Sequence, residues 1–316
     1  MLLEFKVLDK KCRLPQMIIT RGLCIINEMD FRVKNRIKPY IFLLPILFFA
    51  FCFVYVPFVR TAFYSFSRVN FRGDITAFTG LRNFNRLFSD PVFSTALINT
   101  LKLTGMAVCL ILIISYFLAL LAARKRRAAM VYETMFIIPM AVSMPAASQI
   151  FKMLLEPNMG ILNHYLSLDI GWFSDPKYAL FGIVMVCVWI GVPFDFLLFL
   201  SALRGIPSQL LEAADLDGAG VMRKLLGIQI PLTAPTIFYV VCTNVVLGMM
   251  TAAPVMIITG GQPGYSTVTL IFMMYTMGYQ SSNYSLAACI SMVTFALTFG
   301  MVLLAFVFEQ KKVHYQ

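Results

Sequence analysis

Apolar residues in this chain neither alternate nor keep to one face; they run on, all round, between short polar breaks. A helix that is hydrophobic on every side belongs in lipid or in a deep core. Runs long enough to cross a bilayer, about 20 residues, occur at about 39–59, 96–123, 128–155, 178–203, 234–258 and 284–308. The pattern predicts an all-α polytopic membrane protein with six transmembrane helices. Pro45 and Pro57 fall inside the first run and are tolerable there, because neighbouring helices can re-satisfy freed backbone groups. Residues 60–95 form the longest break and are expected to be an external loop.

Composition excludes the soluble alternative: 59% of residues are hydrophobic, 13% are charged and the mean hydropathy is +0.80. The net charge of +11 would suggest nucleic acid in a soluble protein, but no basic stripe interleaves with aromatics here. The basic residues instead report orientation, since cytoplasmic loops carry the Lys and Arg excess. Of 26 Lys and Arg, 18 fall on one side (residues 1–38, the run Arg124–Arg127, the break at 204–231 and the tail) and 6 on the other. Lys102 and Lys152 fall within spans, near enough to their ends to snorkel. Both termini are therefore expected in the cytoplasm, with the chain multi-pass in its membrane. Residues 1–38 hold no apolar run long enough for a signal peptide; residues 1–28 read either as sequence upstream of the true start at Met29 or as a disordered cytoplasmic tail. A membrane-spanning domain at 39–310 and a cytoplasmic tail at 311–316 complete the expected organisation.

The break from Arg204 to Pro231, RGIPSQLLEAADLDGAGVMRKLLGIQIP, is unlike the others. Pro207 ends the preceding helix, and Ser208 is placed to cap a new one. Leu210, Leu211, Ala214 and Leu216 give that helix an apolar side, with Glu212, Asp215 and Asp217 elsewhere on it. Gly218 and Gly220 break it, a second short helix carries Arg223 and Lys224, and Pro231 closes the unit. Two short amphipathic helices between spans could be an interfacial connector. The spacing of Glu212-Ala213-Ala214, Gly218, Ile228, Ile230 and Pro231, however, resembles the E-A-A loop of permease subunits of binding-protein-dependent ABC importers. The departure is Ile230, where the family usually has Leu.

The resemblance continues in GLRNF from Gly80, in Gly160–Asn163, in Gly171–Pro176 and in TGGQPGYST from Thr259, where Gln262 is inserted-like against the family pattern. It implies a type I ABC importer permease of the carbohydrate group, which includes maltose and glycerol-3-phosphate systems. The implied partners are a dimer of cytoplasmic ATP-binding subunits, a second homologous permease, an extracytoplasmic solute-binding protein and the lipid bilayer. Glu212, Ala213, Ala214, Asp217, Gly218, Ile228 and Pro231 would dock the ATPase, Glu212 as polar anchor and Gly218 as bend. The resemblance implies a solute site like that of maltose-type relatives, which hold the sugar midway across the membrane on spans four and five. The matching positions here are Gly191, Phe194, Asp195, Asn244, Leu247, Gly248 and Thr251, with Cys187 and Gly248 where such relatives often carry amides.

Read from the residues alone, Asp195 is an ionisable group inside a span, hence either a pathway residue or the partner of a polar group on a neighbouring helix. Asn244, Gly248 and Thr251 recur at helical spacing in span five, as for a solute face or for close helix packing. The seven cysteines show no C-x-x-C spacing, His164 and His314 have no companions, and no phosphate-loop motif occurs. No catalytic residue, metal site, cofactor or nucleic-acid partner is expected, and ATP hydrolysis falls to a separate subunit. The alternatives are a secondary transporter driven by an ion gradient, for which Asp195 alone speaks, and a membrane enzyme, for which no polar constellation is visible.

Overall fold

The structure is a computed structural model and describes residues 40, 42–123, 129–157, 160–167 and 169–312. The basic run at 124–127, the N-terminal segment 1–38 and residues 313–316 of the tail lie outside the described residues. The chain divides into two compact units, Met1–Arg60 and Thr61–Gln316. Most of helix α1 (Phe42–Ser65) belongs to the first. It runs past the expected end near Val59, because nothing in Arg60–Ser65 breaks a helix. A wide turn over Phe51–Tyr55 ends with the Val56 amide bonded to the Phe51 carbonyl, and Pro57 follows at once. The widened turn absorbs both the proline ring and its missing donor.

In the second unit, the expected external loop is built structure. Strand β1 (Ser67–Val69) pairs antiparallel with β2 (Ile75–Phe78), and helix α2 (Arg82–Phe88) follows. The Asn83 amide donates to the carbonyls of Ser65 at 3.0 Å and Ser67 at 2.9 Å, closing the base of the hairpin. Helix α3 (Pro91–Ala123) starts five residues before the expected span two, with Pro91 at its first position and the Asp90 carboxylate accepting from the Val92 amide at 2.8 Å.

Span three is not one straight helix. Helix α4 (Ala129–Ile137) passes through a tight turn at Ile138–Ala141 and breaks before α5 (Met144–Leu154). The segments Val131–Ala141 and Met144–Leu154 are bent by 102°. The break is chemical: Ser143 is extended, accepts from the Ala146 amide at 3.4 Å, and is followed by Pro145 in the first turn. A short helix α6 (Ile161–Leu166) leads to α7 (Pro176–Arg204), which fills span four as expected.

After α8 (Ser208–Leu216), helix α9 (Val221–Met249) is continuous from the polar break into the membrane. Pro231 therefore does not close the unit. A wide turn at Leu225–Gln229, with the Ile230 amide bonded to the Leu225 carbonyl, precedes it as at Pro57, and the helix runs through. Span five in turn ends at Met249 instead of Ile258. A wide turn at Val255–Thr259 takes up the last part of that expected span, and helix α10 (Leu270–Tyr275) stands where the sequence suggested external loop. Helix α11 (Tyr284–Lys312) is span six. Among the described residues, five unbroken spans and the bent pair give up to six crossings.

Helix α3 is central, packed along α7 and α9. Its buried Ala96, Ala107, Ala119 and Ala122 let the helices approach, the means by which membrane helices associate without a hydrophobic driving force. Leu103, Ile111, Ile183, Val184 and Ile290 belong to one core cluster, Phe196, Phe199, Leu200 and Val240 to a second, and Ala147, Val186 and Ile258 form a third.

Candidate functional site

Helices α8 and the start of α9 form the polar break as a defined corner. Helix α8 begins one residue earlier than a Ser208 cap requires: extended Pro207 flanks it, and the Ser208 hydroxyl makes no capping bond. Its C-terminal end is closed by two backbone bonds, Ala219 amide to Ala214 carbonyl at 2.9 Å and Gly218 amide to Asp215 carbonyl at 3.1 Å. This pair defines a Schellman cap, which needs a left-handed residue just past the helix. Gly218 supplies it at φ +71°, with no atom within 4 Å of where a Cβ would stand. Lys224 Nζ then donates to Asp215 at 2.5 Å and clamps the second arm to the first.

Around this corner the sequence-chosen residues are presented to solvent. Glu212, Ala213 and Asp217 are exposed, Asp217 as the last residue of the α8 cap; Ala214 is buried against the corner and Ile228 is half-buried in the wide turn. Pro231 is exposed within α9. The apolar residues do not turn inward either. Leu216 is 90% exposed, and Leu210, Val221, Met222 and Leu226 are exposed with it. The corner thus leaves apolar side chains uncovered beside its charged ones.

The loop is wired to the spans by a residue that charge counting used only for orientation. Arg204, the last residue of α7, donates through both terminal nitrogens to the Glu133 carboxylate on α4 and through one of them to the Ala122 carbonyl of α3 at 3.3 Å. One guanidinium thus ties the ends of α7 and α3 to the middle of α4 at the root of the loop. Neither this pair nor Asp215–Lys224 could be found by spacing, because each joins elements whose packing the sequence does not state.

In the membrane, the sequence-chosen residues split into two groups. Asp195 on α7 and Asn244 on α9 are brought together: Asn244 Nδ2 donates to Asp195 Oδ2 at 2.5 Å and to the Val240 carbonyl at 2.9 Å, and both side chains are buried. The polar partner on a neighbouring helix is therefore present. Gly191 and Gly248 face α3. A Cβ at Gly191 would stand 2.7 Å from Ile111 Cδ1, and one at Gly248 would stand 2.9 Å from Thr104 Cγ2 and 3.2 Å from Thr104 Cα. Phe194 and Leu247 instead point outward, 42% and 60% exposed.

Thr251 does not share a helix face with Asn244 and Gly248, because α9 ends at Met249 and Thr251 lies just past its cap. Its carbonyl accepts from the Thr269 hydroxyl at 2.9 Å. This bond helps hold the segment after α9 against the glycine-rich stretch, whose far end is pinned to α3 by Asn99, donating to the carbonyls of Tyr265 and Val268. Two stretches singled out between spans three and four are likewise a structural clip: Trp172 Nε1 donates to Asn163 Oδ1 at 2.7 Å, and Asn163 donates to the Ile170 carbonyl at 2.8 Å.

Comparison with known proteins bears on this arrangement. A family model described as the binding-protein-dependent transport system inner membrane component matches residues 111–313. The sn-glycerol-3-phosphate transport system permease protein UgpA of Pectobacterium atrosepticum is 32% identical over 283 residues, covering 88% of this chain and 96% of that protein. The same-named protein of Yersinia enterocolitica is 33% identical over 282 residues with the same coverage. Among solved structures, a chain of a bacterial alginate ABC transporter, in complex with an alginate pentasaccharide-bound periplasmic protein, is similar with a TM-score of 0.78 at 21% identity, over 90% of this chain and 98% of that one. At that identity the likeness shows the fold.

Proposed function

The chain belongs to the binding-protein-dependent transport system inner membrane components and is a permease subunit of an ATP-driven importer; we propose that it forms half of the pathway for a sugar or a related polyol or phosphate solute, driven by a separate ATPase docked on the loop from Arg204 to Pro231. The solute class follows from the glycerol-3-phosphate relatives. The observation that carries the docking is the uncovered corner of α8 and α9, with Glu212 and Leu216 both exposed on a rigid, capped frame. Docking there leaves a second homologous permease to complete the pathway and an external solute-binding protein to deliver the solute. Both termini and the loop lie in the cytoplasm, on the side with 18 Lys and Arg against 6.

Movement of the corner reaches the spans by two rigid routes. Helix α9 continues without a break from the corner into the membrane, and Arg204 joins the other end of the loop to Glu133 and Ala122. Closure of the ATPase would thus rotate α9 against α4 and α7 together, shifting a two-state equilibrium between inward and outward openings. Phe194, Leu247 and Thr251 line the pathway in this reading, with the Asp195–Asn244 bond holding α7 to α9 behind them. A gradient-driven carrier would leave an intramembrane carboxylate open to its ion, whereas Asp195 is buried and bonded.

The test is Glu212→Lys. Reversing a charge inside a docked interface costs on the order of several kcal/mol. The variant should reach the membrane in normal amount, recover less than about one-hundredth of the ATPase on co-purification and fail in uptake. Normal recovery with normal uptake would remove the docking assignment.

A further inference from the structure

The end of the second unit opposite the coupling loop contains a cavity of about 690 Å³ framed by β1, α2 and the start of α11. Arg68 enters from β1, and Arg82 and Arg86, one helical turn apart, enter from α2; Ser281, Ser282 and Asn283 line the remaining side. No carboxylate lines it, and among the described residues none of the three guanidiniums has an ion-pair or hydrogen-bond partner. Arg68, Arg82 and Arg86 are solvent-exposed at the rim, and an anion seated in the cavity would meet three positive charges and no negative one. The start of the 29-residue helix α11 at Tyr284 adds its positive end to the same wall.

The frame is rigid. Asn83, between the two α2 arginines, is held by the carbonyls of Ser65 and Ser67, and the Val69 amide donates to Ser285 Oγ at 2.9 Å, joining the hairpin to α11. Guanidinium groups on such a frame match the paired oxygens of phosphate.

We propose that this cavity is an oxyanion site that takes a phosphoryl group on the outer side of the membrane. The outer placement rests on the orientation given above; the chemistry does not. The volume leaves room beside one phosphoryl group for the organic part of a soluble phosphate ester or of a phospholipid headgroup.

The test uses the full chain in a phosphorus-free maltoside detergent, with labelled inorganic phosphate as probe. Wild type should bind it saturably, and Arg82→Gln/Arg86→Gln should weaken binding about tenfold or more. Arg68→Gln, on a different element, should weaken it as well, so the result does not hang on the folding of one variant. Arg82→Lys/Arg86→Lys keeps the charge without the fork and should fall between. A second arm counts phospholipid phosphorus retained per chain after delipidation. Retention by wild type beyond that of the double Gln variant, displaced by phosphate, assigns the headgroup source; equal retention with phosphate binding intact in wild type assigns the soluble ester. Absence of saturable phosphate binding together with equal retained phosphorus overturns the proposal, as does equal phosphate affinity in wild type and all three variants. Neither arm involves sidedness or uptake, so failure of the transport reading would leave these results standing, and their failure would leave transport untouched.

Discussion

Gly218 and Gly248 stand in the two regions that matter, the corner outside the membrane and the helix contacts within it, and the chain uses them for opposite reasons. At Gly218 the space is empty and the backbone is unusual: φ is +71° and no atom lies within 4 Å of a Cβ position. At Gly248 the backbone is ordinary helix and the space is gone, with Thr104 Cα at 3.2 Å. One glycine sets a shape that is offered outward, the other allows two helices to touch. The same division holds for polar groups. Glu212 is exposed on the corner, whereas Asp195 and Asn244 satisfy each other. An interhelical hydrogen bond in a membrane is worth about 1–2 kcal/mol at most, so the inner pair positions the helices more than it stabilises them.

The comparison breaks most visibly at Gly248→Leu. Overpacking a well-filled contact costs about 1–3 kcal/mol, and here the nearest atoms include backbone, which no rotamer change can move aside. Recovery of monodisperse permease from membranes should drop about tenfold, whereas Gly300→Leu, where no atom lies within 4 Å, should be recovered as wild type. Equal recovery of the two variants would mean that α3 and α9 are not in the contact described.

Gly218→Val sharpens the other side. A β-branched residue at positive φ costs about 1–3 kcal/mol, and it acts on the α8 cap alone. Permease recovery should be unchanged while co-purified ATPase falls about fivefold to a hundredfold. Asn tolerates the left-handed region, so Gly218→Asn should keep most of the ATPase. If Asn fails as badly as Val, the partner needs the empty space at Gly218 and not its backbone angle.

How much of this the sequence disclosed follows the same division. The corner was legible from Glu212 to Lys224 because its determinants are local: a helix, a left-handed glycine and a second arm at fixed spacing. The spans were legible as apolar runs, but their breaks depended on finer chemistry. Ser143 with Pro145 bends span three, and a wide turn carries α9 through Pro231, although a proline alone reads as a stop. Asp195 with Asn244 could be proposed only as one of two readings, since pairing between α7 and α9 is a tertiary fact. Arg204 and the three arginines around the cavity beside β1 were counted for their charge, and their companions became visible only when distant elements were placed together.

The smallest effect is expected at the clamp between Lys224 and Asp215, and it separates frame from contact within the corner itself. The side chain of Lys224 is 22% exposed and that of Asp215 60%, so solvent screens the pair and its worth is about 0.2–1 kcal/mol. If the clamp only orients the second arm, Lys224→Gln should reduce co-purified ATPase about twofold to fivefold in low salt, and the deficit should vanish near 1 M salt, where screening acts within about 3 Å. Exchanging the charges, Lys224→Asp with Asp215→Lys, should then restore recovery, because an internal clamp works in either polarity. If instead either residue touches the ATPase directly, the exchanged chain would meet that surface with reversed charges and bind worse than the single variant. The exchanged chain therefore decides whether these two charges belong to the permease's own frame or to the surface that its partner reads.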